Sequence, residues 1–346
     1  MLSYAYMKKK DIIHHVLAGK KPPYVPWQLD FTLEAQETLK DHYKTDDLPK
    51  QLGNHFLPLG NQIVKYENLD SNRIIDYFGV IWDRSVDKDI GIVQEPILKE
   101  PSLTGYTFPD PLGDGSFETI QENIDENPEL FAMFYMGFSL YERAWTLRGM
   151  ENLLMDFYEN PRFVRNLLGS ITDYNLEVIE KALTYDIDGV YLGDDWGQQQ
   201  GLIMGPSLWK KFIFPELKRM YGRVKEAGKR VFIHSCGDVD ELFDDLIRIG
   251  LDCFNPFQPE VMDVARLMKE YRGRLSFHGG LSTQQTLPYG TPQDVERETK
   301  KLLTLGSAGN YIFAPAHAVE GDVSLENMLT FINILQNQES YSKFAI

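Results

Sequence analysis

The triplet His234-Ser235-Cys236 sets an imidazole and a thiol two residues apart, directly after the apolar run 230–233. In extended backbone the i and i+2 side chains point to the same face, so one nitrogen and one sulfur converge. A borderline-soft ion such as zinc favours that donor pair. The same triplet also suits a core cysteine beside a hydrogen-bonded histidine, because free Cys is commonly buried. His317, just beyond the apolar run 311–315, offers a third donor and leaves a fourth coordination position open. Asp194-Asp195 follows the apolar stretch 190–192 and precedes Trp196-Gly197. Adjacent carboxylates raise one another's pKa, which suits one of them to act as a general acid near neutrality. The competing reading is that one aspartate caps the following segment while the other faces water. Cys253, beside Phe254, reads as core.

These residues must be positioned by regular elements, and the second half of the chain repeats one pattern: a short apolar run, polar or ionisable residues, then an amphipathic helical segment. The runs are 188–192, 230–233, 252–256, 274–277 and 311–315, and helix-period spacing fills 207–227, 239–250, 260–271 and 291–306. Thr291-Pro292 fits an N-cap and first helical position, and Gly228 and Gly250 fit helix stops. Two earlier runs, 24–29 and 130–134, follow the same scheme. Seven strand candidates followed by helices predict a TIM (β/α)8-type barrel with one strand missed or replaced, and a doubly wound sheet as the alternative. Between the first two runs lies a helical segment at 33–43 and a predicted hairpin pairing 78–86 with 90–97 around Asp87-Lys88-Asp89. The chain is therefore expected to be one domain over 1–346, with an N-terminal elaboration and first strand to about 128 and the main βα repeats over about 129–340.

Barrel enzymes gather their chemistry at the C-terminal ends of the strands. Those ends carry Asp30, Tyr135, Asp194, Asp195, His234, Cys236, Gln258, His278 and His317. Trp27, Phe31, Tyr135, Trp196, Phe257 and Tyr289 lie at or near them; most suit core or rim packing, and a minority would form an aromatic wall for a flat ligand. No dinucleotide fingerprint, P-loop or Gly-x-Ser-x-Gly elbow is present.

Composition narrows the function classes. A chain of 346 residues with 43% hydrophobic residues is sufficient for a substantial core, and its formal charge of −16 opposes nucleic-acid and anionic membrane surfaces. Two cysteines are too few for a disulfide framework and fit a reducing compartment. Neither a signal-like h-region nor a membrane-spanning apolar run occurs, so a cytoplasmic protein is expected.

Taken together, the segments 188–197, 231–237, 255–258, 277–284, 287–292 and 313–317 resemble the uroporphyrinogen decarboxylase superfamily over essentially the whole chain. That resemblance implies a TIM barrel and either a decarboxylase of haem biosynthesis or a methyltransferase working with cobamides. The decarboxylase branch carries an arginine-rich Met-Arg-Gln-Ala-Gly-Arg segment that holds substrate propionates. The matching stretch here is Trp27-Gln28-Leu29-Asp30-Phe31-Thr32, without arginine. The methyltransferase branch binds zinc through His-x-Cys and a later Cys in Ala-Pro-Gly-Cys. His234 and Cys236 match the first motif, while Ala314-Pro315-Ala316-His317 places histidine where the thiol methyltransferases have cysteine.

One thiolate fewer leaves a more electrophilic zinc, suited to polarising an ether oxygen. The resemblance thus implies methyl transfer from a small, aromatic methyl ether to cob(I)alamin on a separate corrinoid protein, with zinc on His234, Cys236 and His317. Asp194 or His278 would manage the proton, and Trp27, Asp30, Phe31, Tyr135, Trp196 and Gln258 would line the donor site. The alternatives are decarboxylation of a porphyrinogen or smaller carboxylate, and a non-catalytic barrel adaptor or sensor of a corrinoid system.

Overall fold

The expected alternation of strands and helices runs from Phe131 to Gln336 in the computed structural model, which describes residues 7–61, 65–86 and 90–338. The described residues divide into two compact units: one from those of 1–56, 129–131 and 252–338, the other from those of 57–128 and 132–251.

The second unit carries the strands Phe56–Asn61, Phe131–Met136, Gly189–Gly193 and Arg230–His234 in that spatial order. Gly189–Gly193 lies parallel to both neighbours, pairing Tyr191 with Tyr135 on one side and with Phe232 on the other. Burial on both faces explains the continuous apolar runs, as in Val231-Phe232-Ile233, where none of the three side chains is exposed. The helices Tyr141–Arg148, Met150–Glu159, Pro161–Ala182 and Phe214–Glu226 belong to this unit, and Pro161 and Pro215 occupy first-turn positions where no N–H is needed. Met150 opens its helix through Gly149, whose φ is +86°.

In the first unit the strands Cys253–Asn255, Ser276–Leu281 and Tyr311–Pro315 are parallel neighbours. The helix Pro292–Gly306 starts with a capping box: the Thr291 hydroxyl accepts from Asp294 N–H while the Asp294 carboxylate accepts from Thr291 N–H. Gly250, with φ +112°, ends the helix Phe243–Ile249 in the left-handed conformation expected of a glycine stop.

Three expectations need correction. Residues 24–29 form a single bridge, Trp27 to Phe313, rather than a strand. Prolines 22, 23 and 26 remove donors there, so the segment is held by the Phe313 N–H on the Pro26 carbonyl, the Gln28 N–H on the Phe313 carbonyl and the His55 N–H on the Trp27 carbonyl. The missed strand is Phe56–Asn61, hidden in the sequence by exposed Pro58 in its middle. The predicted hairpin is shorter, Ile81–Asp83 against Ile92–Val93, and joins Tyr66–Asn68 and Arg73–Asp76 in a four-stranded antiparallel sheet; its expected turn at 87–89 lies outside the described residues. Lastly, Ser276–Leu281 runs on through His278, which is therefore inside a strand rather than at its end.

Among the described residues, no helix is long and apolar enough to cross a membrane.

Candidate metal centre and its surroundings

Where the strand Arg230–His234 ends, the i, i+2 geometry read from the triplet holds: Cys236 Sγ lies 3.4 Å from His234 Nε2. The other ring nitrogen of His234 faces the Tyr191 hydroxyl at 3.4 Å. A proton on Nδ1 donated to that oxygen leaves the Nε2 lone pair aimed at the sulfur side, the arrangement by which second partners orient metal-binding imidazoles. Tetrahedral zinc, with Zn–N near 2.0–2.1 Å and Zn–S near 2.3 Å, separates two such donors by roughly 3.6 Å. The observed pair fits that separation.

The loop bearing the thiol is fixed from three directions. Asp195 Oδ1 accepts the Cys236 N–H at 2.7 Å, the Cys236 carbonyl accepts the Gly197 N–H at 3.2 Å, and the buried Ser235 hydroxyl accepts the Trp196 N–H at 2.9 Å. Gly237, at φ +84°, permits this approach: a Cβ there would lie 2.3 Å from the Gly197 carbonyl carbon. Burial pushes the Cys236 thiol up, and the Asp195 and Glu142 carboxylates push it further. A thiol surrounded by acids gains a thiolate only with a cation to offset the charge.

The adjacent aspartates have different roles. Asp194 is fully buried. Its Oδ1 accepts from the N–H groups of Leu140 at 3.2 Å and Glu142 at 2.8 Å, tying down the start of Tyr141–Arg148, and its Oδ2 accepts from the Trp196 indole at 2.5 Å. Burial drives its pKa up to about 6 against those hydrogen bonds. Both of its oxygens thus serve the helix start and the indole. Asp195, with 36% of its side chain exposed, is the member that faces the His234–Cys236 pair, 3.7 Å from His234 Nε2.

Glu142 escaped the reading of the sequence. It stands in the first turn of Tyr141–Arg148, and burial followed by the charges of Asp195 and Asp194 raises its carboxyl well above the ordinary range. An acid in the first turn of the helix after a strand was the available signal, but that position is also the ordinary place for a helix-stabilising acid.

The expected aromatic wall is mostly core. Trp196 is fully buried, edge-on to Trp209 at 5.5 Å. Trp27 is buried, its indole donating to the Leu52 carbonyl at 3.0 Å and its ring crossing His55 at 4.6 Å. Phe31 is buried and stacked on Phe331. Tyr135 is the exception by position: its ring lies 4.5 Å from that of Tyr191, the residue that faces His234.

In the first unit, His317 follows the strand Tyr311–Pro315 and is exposed. His278 is buried, its Nδ1 3.2 Å from Asn255 Nδ2 and its ring edge-on to Phe56 at 5.4 Å. That packing belongs to a strand interior rather than a strand end. Gln258 is buried, 8% exposed. The Asp30 carboxylate accepts from Gln28 Nε2 at 3.3 Å; protein crowding raises its pKa more than that bond lowers it, although the residue keeps surface open to water. Cys253 is buried and its thiol pushed up by desolvation, as expected of a core cysteine.

Strand–helix repeats of the TIM-barrel type, with an imidazole–thiol pair at a strand end, define the class of this protein. The chain belongs to the uroporphyrinogen decarboxylase (URO-D) family, whose profile matches residues 116–338. A solved methyltransferase from Methanosarcina mazei shares the fold with a TM-score of 0.73 at 15% identity, over 97% of this chain and 100% of that one. By sequence, the chain is 21% identical over 248 residues to a methylated-thiol–coenzyme M methyltransferase of Methanosarcina mazei, covering 68% of this chain and 64% of the relative. It is 24% identical over 176 residues to the uroporphyrinogen decarboxylase of Nocardia farcinica, covering 48% and 46%. The chain thus spans about half to two thirds of the length of the curated relatives it matches.

Proposed function

We propose that this protein is a methyltransferase that moves a methyl group from a small aromatic methyl ether to the cob(I)alamin of a separate corrinoid protein. The observation that carries the reading is the His234 Nε2–Cys236 Sγ pair at 3.4 Å, set among acids at a strand end. Similarity to a methyltransferase of methylated thiols supports the class. Similarity to uroporphyrinogen decarboxylases supports the family equally well. Against decarboxylation of that octacarboxylate stands the stretch Trp27–Thr32 of the sequence, which offers Asp30 and no arginine.

In this reading His234, Cys236 and His317 hold zinc. When bound, zinc supplies a Lewis acid for the ether oxygen, because a phenolate is otherwise a poor leaving group. The chain's own residues do the rest. Tyr191 orients the His234 ring, and with the tilted ring of Tyr135 beside it offers an aromatic surface for the donor ring next to the imidazole. Asp195 holds the thiol loop. Glu142, kept protonated to higher pH by burial and its acidic neighbours, supplies the proton that the departing oxygen takes up.

Conversion of cob(I)alamin to methylcobalamin, followed by its spectrum, tests the reading. Methoxylated phenols are expected to serve as donors in the presence of zinc; methanol, methylamines and quaternary amines are not. Transfer from those controls but never from the phenols overturns the aryl-ether assignment. No transfer from any donor to several corrinoid acceptors, or formation of coproporphyrinogen from uroporphyrinogen, overturns the class.

A further inference from the structure

We propose that Asp195 is itself a metal donor, joining His234 and Cys236 in a three-donor set built within one compact unit. The inference rests on the zinc reading above and deepens it by adding an acid that occupies the fourth position of that site until the ether oxygen displaces it.

Asp195 Oδ1 lies 3.7 Å from His234 Nε2, which lies 3.4 Å from Cys236 Sγ. Oxygen and nitrogen donors at their usual distances of about 2.0–2.2 Å from tetrahedral zinc stand roughly 3.4 Å apart. The separation of the Asp195 oxygen from the imidazole nitrogen is thus within a few tenths of an ångström of that spacing. The same oxygen accepts the Cys236 N–H at 2.7 Å, so the carboxylate already sits against the thiol's own residue.

The backbone keeps it there. Asp194 N–H donates to the His234 carbonyl at 2.9 Å, Gly197 N–H to the Cys236 carbonyl at 3.2 Å, and Asp238 N–H to the Gln198 carbonyl at 2.8 Å. These bonds lock the segment carrying Asp195 onto the segment carrying the imidazole and thiol. The neighbouring Asp194 has both oxygens engaged by Leu140, Glu142 and Trp196, and is no competitor for an ion. Asp195 keeps 36% of its side chain exposed, so its carboxylate is not sealed in the core. A carboxylate added to one thiolate balances the charge of a divalent ion and favours zinc over a softer monovalent one.

Cobalt(II), which takes the place of zinc and reports its surroundings in visible absorption, provides the test. In the full chain, wild-type protein is expected to show a thiolate-to-cobalt charge-transfer band and d–d bands. Asp195→Asn retains an oxygen to accept the Cys236 N–H while removing the charge; Asp195→Ala removes both. Both variants are expected to keep the charge-transfer band, shift the d–d bands and bind cobalt at least tenfold more weakly. If Asp195→Asn keeps the wild-type spectrum and affinity, Asp195 is a positioning residue for the loop and the proposal is overturned, while the zinc reading stands. Absence of the charge-transfer band from the wild type, with cobalt and with zinc competition alike, removes the zinc reading and this inference together.

Discussion

His234 and His278 stand at similar places in two similar sentences of sequence, an apolar run followed by His and small residues, and the fold treats them oppositely. After His234 the strand stops, and the chain turns through Gly237. The imidazole keeps 23% of its side chain exposed beside a thiol and an acid. After His278 the strand continues through Gly279 and Gly280 to Leu281, and the ring is packed against Phe56 and Asn255. Gly279 is the reason: at φ +137°, a Cβ there would lie 1.7 Å from the Pro256 carbonyl oxygen, so the strand passes its neighbour only without a side chain. What decides the chemistry of a histidine is where pairing ends, and that depends on the partner strand.

The largest expected effects are those that exchange these roles. Cys236→Ala is expected to lower zinc affinity by more than about 100-fold, exceeding the loss usual for an outer partner of a ligand. Its unfolding free energy should stay within about 1 kcal/mol of wild type. His278→Ala is expected to do the reverse, costing about 2–3 kcal/mol through lost packing and the lost ring contact with the Asn255 amide, which keeps its bond to the carbonyl of residue 278, while leaving zinc affinity unchanged. Urea unfolding and metal competition titrations on both variants check this; metal loss in His278→Ala at full folding would break the comparison.

The aspartate pair gives a similar contrast at comparable scale. Asp194→Ala strips an acceptor from the Glu142 N–H and the Trp196 indole, and is expected to destabilise by about 2 kcal/mol. Hydrogen exchange should quicken first in Tyr141–Arg148, the helix that the carboxylate anchors. Uniform quickening across the chain would argue against that anchoring.

A smaller, pH-dependent effect sharpens the contrast with a third histidine. His55 is fully buried between Trp27 and Tyr24, and burial, reinforced by the Lys9 charge, lowers its pKa to about 3. The unfolded chain protonates this residue near pH 6.5 and the folded chain only near 3, so stability rises with pH across that window, by at most about 1.4 kcal/mol per unit. Asp194 acts with opposite sign: raised to about 6, it holds a proton that the unfolded chain has already released, so its contribution falls as pH rises from about 4 to 6. His55→Gln is expected to erase the rising term and leave the falling one. Urea midpoints measured from pH 4 to 7 report this, and an unchanged profile would mean that His55 is not held neutral.

The sequence determined what short-range physics controls. The runs at 230–233 and 311–315 appear as Arg230–His234 and Tyr311–Pro315, because buried parallel strands demand continuous apolar residues. The Thr291-Pro292 start and the Gly250 stop appear because capping is local. The convergence of His234 and Cys236 was legible for the same reason: extended backbone alone puts i and i+2 side chains on one face. Tertiary structure decided whatever depended on a partner distant in sequence. Pro58 hid the strand Phe56–Asn61, and the division of labour between Asp194 and Asp195 required the N–H groups of Leu140 and Glu142, more than fifty residues earlier. Trp27 and Trp196 pack in the core, where the Leu52 carbonyl and the Asp194 carboxylate satisfy their indoles. Side-chain type states which bonds a residue can make, and only packing from distant segments determines which of them are already taken.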